Sequence, residues 1–209
     1  AMNVQSLLET SENEFQYIVK YADEIKSQIH GSEISFVVNR NINYTNICSF
    51  KCNFCAFSKG KGHDDLRGMP YNISEEEIIR RTKEAIDRGA TEVCLQGGIH
   101  PKFSGETYLD IVRAIRSVSD SIHIHAFSPL EIDHGRKTLN ISVKDFLIEL
   151  KNVGLNSLPG TAAEILHDDI RAIICPDKLN SNEWVEIIKA AHSVGLPTTS
   201  TMMFGHVEN

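Results

Sequence analysis

No window of about 18 apolar residues occurs in this chain, so no membrane-spanning helix is expected. No basic start followed by an apolar run marks a secretory leader. Positive charge is not in excess: the formal net charge of −7 disfavours nonspecific binding to nucleic acid or anionic membranes. Neither G-x-G-x-x-G nor G-x-x-x-x-G-K-S/T is present, so a dinucleotide or P-loop site lacks its phosphate cradle. Linkers and low-complexity runs are missing too. Cysteine is scarce and odd in number, five in 209 residues, which is not the density of a secreted disulfide scaffold. These absences lead to the expectation of a reduced, cytoplasmic protein. A chain of 209 residues, 41% hydrophobic, suffices for one compact domain with a substantial core. Ala1 ahead of Met2 reads as a cloning remnant and is set aside.

What is present is a regular alternation of periods. Phe15, Ile18, Val19, Ala22, Ile25 and Ile29 recur at helical spacing, with Ser11 and Glu14 as a capping box and Gly31 as the stop. Residues 35–46 read as extended chain. Ser74 and Glu77 open a helix carrying Ile78, Ile79, Thr82, Ala85 and Ile86, closed by Gly89. A strand over 91–96 follows, then a helical face of Tyr108, Ile111, Val112, Ile115 and Val118, then a strand over 121–127. Ser142 caps a helix with Phe146, Leu147, Leu150 and Val153, ended by Gly154. Brief strand 155–159, a helical turn at 168–174, a helix capped by Ser181 with Trp184, Ile187, Ile188 and Ala191, and strand 197–204 complete the pattern.

About five β–α repeats without hairpin signals predict parallel strands joined by helices. Both a β/α barrel and an open doubly wound sheet fit that pattern. The barrel is favoured because chemically notable residues follow every strand, and a barrel gathers all strand ends around one site. The expected division is an N-terminal helical segment, 1–34, and a β/α domain, 35–209.

The stretch CSFKCNFC packs Cys48, Cys52 and Cys55 into eight residues at a strand end. A structural zinc site would need a fourth ligand, for which His63 is placed, but zinc modules pair C-x2-C knuckles and this spacing is C-x3-C-x2-C. A disulfide is disfavoured by compartment. Cys94 and Cys175 sit singly in apolar surroundings and read as core residues. Three thiolates hold three irons of a 4Fe–4S cluster and leave the fourth open to a small ligand. The spacing, with Phe54 before the third cysteine, resembles that of the radical S-adenosylmethionine (SAM) superfamily, whose members are partial TIM-like β/α barrels with the cluster loop after the first strand.

The resemblance extends along nearly the whole chain. NRNINYTNIC, FCAF, QGGIHP, IHIHAFSPLEI, LPGTAAEIL, RAIICPDK and PTTSTMMFGHVE are similar to FO synthase subunit 2, the tyrosine 4-hydroxybenzyl transferase family of deazaflavin coenzyme F-420 biosynthesis. The radical enzymes of the futalosine route to menaquinone, among them the cyclic dehypoxanthinyl futalosine synthase, share NINYTN and the cysteine loop; GTAAEIL with ICPDK is closer to the tyrosine transferase. A zinc-binding, non-enzymatic module is the reading from a different class.

The resemblance implies a 4Fe–4S cluster on Cys48, Cys52 and Cys55, with SAM on its open iron. It implies Phe54 near the adenine, Gly97 and Gly98 at the methionyl amino group, Glu164 at the ribose hydroxyls and Arg171 at the carboxylate, with Ser128 a weaker contact. Many relatives carry Glu after the two glycines, where this chain has Ile99. The catalytic residues are unknown; His123 and His125, alternating with Ile122, Ile124 and Ala126, point to one face of their strand and are candidates for proton transfer or substrate contact. Tyr44, Gln96, His100, Thr199, Thr201 and His206 are further candidates for the barrel lumen. The implied substrates are L-tyrosine and 5-amino-6-(D-ribitylamino)uracil, with an electron donor and FO synthase subunit 1 as pathway partners. Because the family runs on to a sixth strand, a chain truncated at the C-terminus is expected, with self-association through the 198–203 edge.

Overall fold

The computed structural model describes residues 11–58 and 69–208. The chain divides into two compact units, 1–36 and 37–209. The first contains helix α1, Glu12–His30. Its start is the expected capping box: the Ser11 N–H and hydroxyl both donate to Glu14, at 2.8 and 2.6 Å. Gly31 ends it with φ +62°, a conformation that costs other residues strain. The apolar periodicity makes the helix but buries none of its residues.

The second unit runs β1 (Asn39–Asn43), α2 (Glu75–Asp87), β2 (Glu92–Gln96), α3 (Gly105–Arg116), β3 (His123–Ala126), α4 (Pro129–Leu139), α5 (Val143–Asn152), α6 (Asp168–Ile174) and α7 (Ser181–Ser193). Each helix start is written locally. Ser74 accepts from Glu77 N, and three glutamates in the first turn of α2 complement the helix dipole. Ser104, Ser142 and Asn180 cap α3, α5 and α7; Asn180, not the expected Ser181, is the cap of α7 because Glu183 returns to its backbone.

The sheet is parallel in the order β1-β2-β3. Asn41 faces Cys94, which faces His125; Asn43 faces Gln96. Beyond β3 the pairing continues as single parallel bridges, His125 to Ser157 and Leu158 to Thr198. The expected strands 155–159 and 197–204 are thus reduced to bridges. The physical reason lies in the donors: Pro159 and Pro197 have none, and Gly160 N is taken by the Thr199 hydroxyl at 3.0 Å instead of a main-chain carbonyl.

One sheet face is apolar. Ile42, Val93, Leu95, Ile124 and Ala126 are fully buried against Tyr108, Val112, Ile115, Phe146 and Leu150 of the helices. Each such aliphatic side chain contributes about 1.5–3 kcal/mol by leaving water. The other face carries Asn41, Asn43, Cys94, Gln96, His123 and His125, all outside the buried class. This split fixes which side of the sheet can hold polar chemistry.

Candidate functional site

The cysteine loop leaves the end of β1 and is gripped on both sides. On one side Ser49 N donates to Ile99 O at 2.9 Å, and Ile99 N points at Cys48 Sγ at 3.3 Å. This contact explains Gly98: a Cβ there would collide with the Ile47 carbonyl and with Cys48 Cβ at 2.9 Å. Gly97 is needed likewise, because its Cβ would enter the Tyr44 ring. On the other side Lys51 N donates to Asp177 at 3.0 Å, Asn53 N to Ile174 O at 2.9 Å and Asn53 Nδ2 to Ile173 O at 2.6 Å. The C-terminal end of α6 and the segment after it therefore buckle the loop down.

Cys48, Cys52 and Cys55 line one cavity of about 420 Å³, with Gln96, Gly97, Gly98, Ser128, Glu131, Glu164 and Lys178 on its walls. Glu131 is 2% exposed and accepts from Ser128 N and Oγ, both at 2.6 Å, from Gly97 N at 3.2 Å and from the Tyr44 hydroxyl. Burial raises its pKa, against the pull of those donors; the Tyr44 hydroxyl, pushed far up by burial and by Glu131, remains the donor. Lys178 Nζ meets Glu164 at 2.6 Å and lies 5.3 Å from the centre of the Phe54 ring. Ala162 and Glu164 hold positive φ on the wall of this cavity, at 60° and 47°, strain of the kind that concentrates at ligand sites.

The donor set fits an iron–sulfur cluster. The three cysteines are free and only half buried. Among the described residues no group of three or more His, Cys, Asp or Glu closes around a single ion. The thiols share a cavity without converging on one point, which suits a cluster taking one thiolate per iron. Burial pushes Cys52 up to about 12 despite the nearby Lys178, so a bound metal is what would make it a thiolate near neutrality. The hydroxyls of Ser58 and Thr161, both wall residues, are themselves buried and have no partner among the described residues. His63, the alternative zinc ligand, lies outside the described residues.

The description "Radical SAM superfamily" matches residues 42–209. The chain belongs to that superfamily. It is 48% identical over 189 residues to the 5-amino-6-(D-ribitylamino)uracil–L-tyrosine 4-hydroxyphenyl transferase of Archaeoglobus fulgidus, covering 90% of this chain and 53% of that protein. It is 47% identical over 191 residues to the FO synthase of Mycobacterium leprae, covering 91% of this chain and 22% of that one. The chain spans about half the length of the transferases it matches. In fold it is similar to methylornithine synthase, with TM-score 0.67 and 15% identity over 93% of this chain and 52% of that one. It is also similar to the FeFe-hydrogenase maturase HydG from Carboxydothermus hydrogenoformans, with TM-score 0.66 and 18% identity over 94% and 42%.

Within this radical SAM domain the structure brings Cys48, Cys52, Cys55, Gln96, Gly97, Gly98, Ser128 and Glu164 to one cavity. Several expectations are corrected. Arg171 is 3% exposed and does not line the cavity; its guanidinium donates to the carbonyls of Leu179 (2.9 Å from Nε), Ala162 (3.3 Å), Ile165 (3.4 Å) and Ala163. It is a clamp on the 162–165 loop and is not paired with Glu164. Tyr44 turns to the helix side with Ile42, because strand residues alternate; Asn41 and Asn43 take the lumen side. Ser128 spends its hydroxyl on capping α4. Phe54 is exposed beside Lys178, while Phe50 and Phe57 line the cavity. His100 stacks on Phe103, Thr199 and Thr201 bond Gly160, and His206 meets Glu208 at 2.7 Å; none of these lines the cavity.

Glu131, Lys178, Asn41 and Asn43 are among the cavity residues that sequence reasoning missed. Two signals were available: Ser128-Pro-Leu-Glu131 is a capping box with Pro at the first helical position, and NINYTN alternates polar with apolar. His123 and His125 lie on the polar face of the sheet, each 2.7 Å from the Ser157 hydroxyl, and neither lines the cavity.

Proposed function

We propose that this chain is the radical SAM barrel portion of a transferase that joins the 4-hydroxybenzyl group of L-tyrosine to 5-amino-6-(D-ribitylamino)uracil, a step of deazaflavin formation. The observation that carries this reading is identity of 45–48% to proteins of that name over at least 90% of the chain. The three ladder strands and the two bridged segments are read as the first five strand positions of a β/α barrel.

Cys48, Cys52 and Cys55 would hold a 4Fe–4S cluster. With SAM bound, such a cluster would supply the radical chemistry needed to break the Cα–Cβ bond of tyrosine. The chain's own part is position and exclusion of water. Gly98 lets the loop after β2 lie directly on the cysteine loop, and Gly97 lets the same loop pass the Tyr44 ring; a side chain at either would force it away. Glu131 ties that loop to the start of α4 through Gly97 and Ser128. The Glu164–Lys178 pair presents a carboxylate suited to sugar hydroxyls on the opposite wall. Asn41, Asn43 and Gln96 offer both donors and acceptors, which suits a uracil edge and a polyol chain. A reducing cytoplasm, an electron donor and an enzyme that closes the deazaflavin ring, such as FO synthase subunit 1, complete the setting.

The test is the product formed on anaerobic incubation with reductant, SAM, L-tyrosine and the diaminouracil. Mass spectrometry is expected to find the 4-hydroxybenzyl adduct of the uracil together with 5′-deoxyadenosine. Substrate-dependent 5′-deoxyadenosine without that adduct overturns the reading.

A further inference from the structure

Two imidazoles on the polar face of the sheet share one hydroxyl. His123 Nε2 and His125 Nδ1 each stand 2.7 Å from Ser157 Oγ. A serine hydroxyl has one proton and two lone pairs, so it can donate to only one of the rings, and it accepts from the other when that ring carries its proton on the facing nitrogen. In that arrangement the two tautomers are coupled: changing the proton on one ring reverses the hydroxyl and changes the other.

The register gives this chain of groups a direction. His125 stands on the rung of Cys94 and Asn41, and Asn41 lines the cluster cavity. His123 stands one rung further from that cavity, with Glu92 and Asn39. Its side chain is 41% exposed, and Glu92 lies 3.8 Å from its Nε2. The Asn39 amide in turn donates to Glu92. The titratable groups facing the two rings are Glu92 and Cys94, both from β2; β1 presents Asn39 and Asn41, and the bridged segment presents Ser157.

We propose that His125, Ser157 and His123 form a proton relay along the polar face of the sheet, from the rung of the cavity-lining Asn41 to solvent, with Ser157 as the positioning residue that couples the two rings. In the receiving state His125 carries its proton on Nδ1 and donates to Ser157, and Ser157 donates to His123 Nε2. A proton arriving at His125 Nε2 sends the Nδ1 proton to Ser157 Oγ and the hydroxyl proton to His123 Nε2. His123 is then an imidazolium beside Glu92 and gives up a proton to water. One proton enters and one leaves, with no change of oxidation state. Burial lowers the pKa of His125, with Glu92 opposing and His123 assisting, which keeps that ring neutral and able to accept. This deepens the transferase reading, in which forming the ring imine of the adduct releases a proton from the ribitylamino nitrogen.

The experiment compares the wild type with Ser157→Ala and Ser157→Thr by two readouts. The first, made without substrates, is the pH titration of the two imidazoles by nitrogen-15 NMR. Coupled titration is expected in the wild type and in Ser157→Thr, and independent titration in Ser157→Ala. The second is turnover: kcat is expected to fall more than tenfold in Ser157→Ala with KM for either substrate changed less than twofold, and to recover in Ser157→Thr. Independent titration in the wild type overturns the relay, as does unchanged kcat in Ser157→Ala. A wild type that forms no adduct refutes the transferase reading, and the NMR titration still decides whether the two rings are coupled.

Discussion

Lys178 Nζ lies 2.6 Å from Glu164 Oε1, and each side chain is 11% exposed. Such a pair is worth little over apolar residues of the same shape, but breaking one side strands a charge. Glu164→Gln and Lys178→Met are each expected to lower unfolding stability by about 3–5 kcal/mol, and the double variant by much less than the sum. Denaturant unfolding of the four proteins checks this. Additive losses would mean the two residues do not act as a pair.

Arg171 supplies a second prediction, opposite in kind to the ligand role implied by resemblance. Its donors satisfy carbonyls of both the 162–165 loop and Leu179. Arg171→Lys is expected to destabilise by about 2–4 kcal/mol, because an ammonium cannot span that fork of acceptors. Chemical denaturation measures it. Full stability with a selective loss of SAM affinity would return Arg171 to the carboxylate.

The Glu131 carboxylate accepts four hydrogen bonds. In Glu131→Gln the new amide must turn two hydrogens toward existing donors. A loss of about 1–3 kcal/mol is expected at neutral pH from groups left unpaired. Stability equal to wild type would show that the carboxyl is protonated in the native protein and that an amide replaces it without penalty.

The pH dependence of stability has a sign fixed by His125. Burial first, and His123 after it, hold its pKa below the ordinary value of about 6.5. As pH falls, the unfolded state takes up the proton first, so stability is present above about pH 6.5 and is lost as pH drops toward the depressed native value. His125→Gln is expected to flatten the stability curve below about pH 6.5. An unchanged slope would locate the acid sensitivity elsewhere.

Much of this was legible in the chain, and the failures have local causes. Ser11, Ser74 and Ser142 announced their helices because capping is written within four residues. Helix α4 was hidden, although Ser128 and Glu131 form a capping box, because the polar run after β3 resembles a site loop. Tyr44 was placed in the lumen for its chemistry, whereas the alternation Asn41-Ile42-Asn43-Tyr44 already put it with the core. The roles of Arg171 and Lys178 could not be read from spacing. Which cation faces the cavity depends on how α6 and the loop after it fold back on residues 162–165, a tertiary fact. The shortened pairing at 157 and 198 follows from two prolines and one threonine hydroxyl that compete with the ladder.

The most direct measurement is the iron and acid-labile sulfide content of anaerobically reconstituted protein, read beside its electron paramagnetic resonance spectrum. The wild type, Cys94→Ala and Cys175→Ala are expected to bind about four irons and four sulfides per chain and to show the same reduced-cluster signal. Cys48→Ala, Cys52→Ala and Cys55→Ala are each expected to lose the intact cluster. Zinc in place of iron, or a full cluster in Cys55→Ala with its loss in Cys94→Ala, would contradict the account.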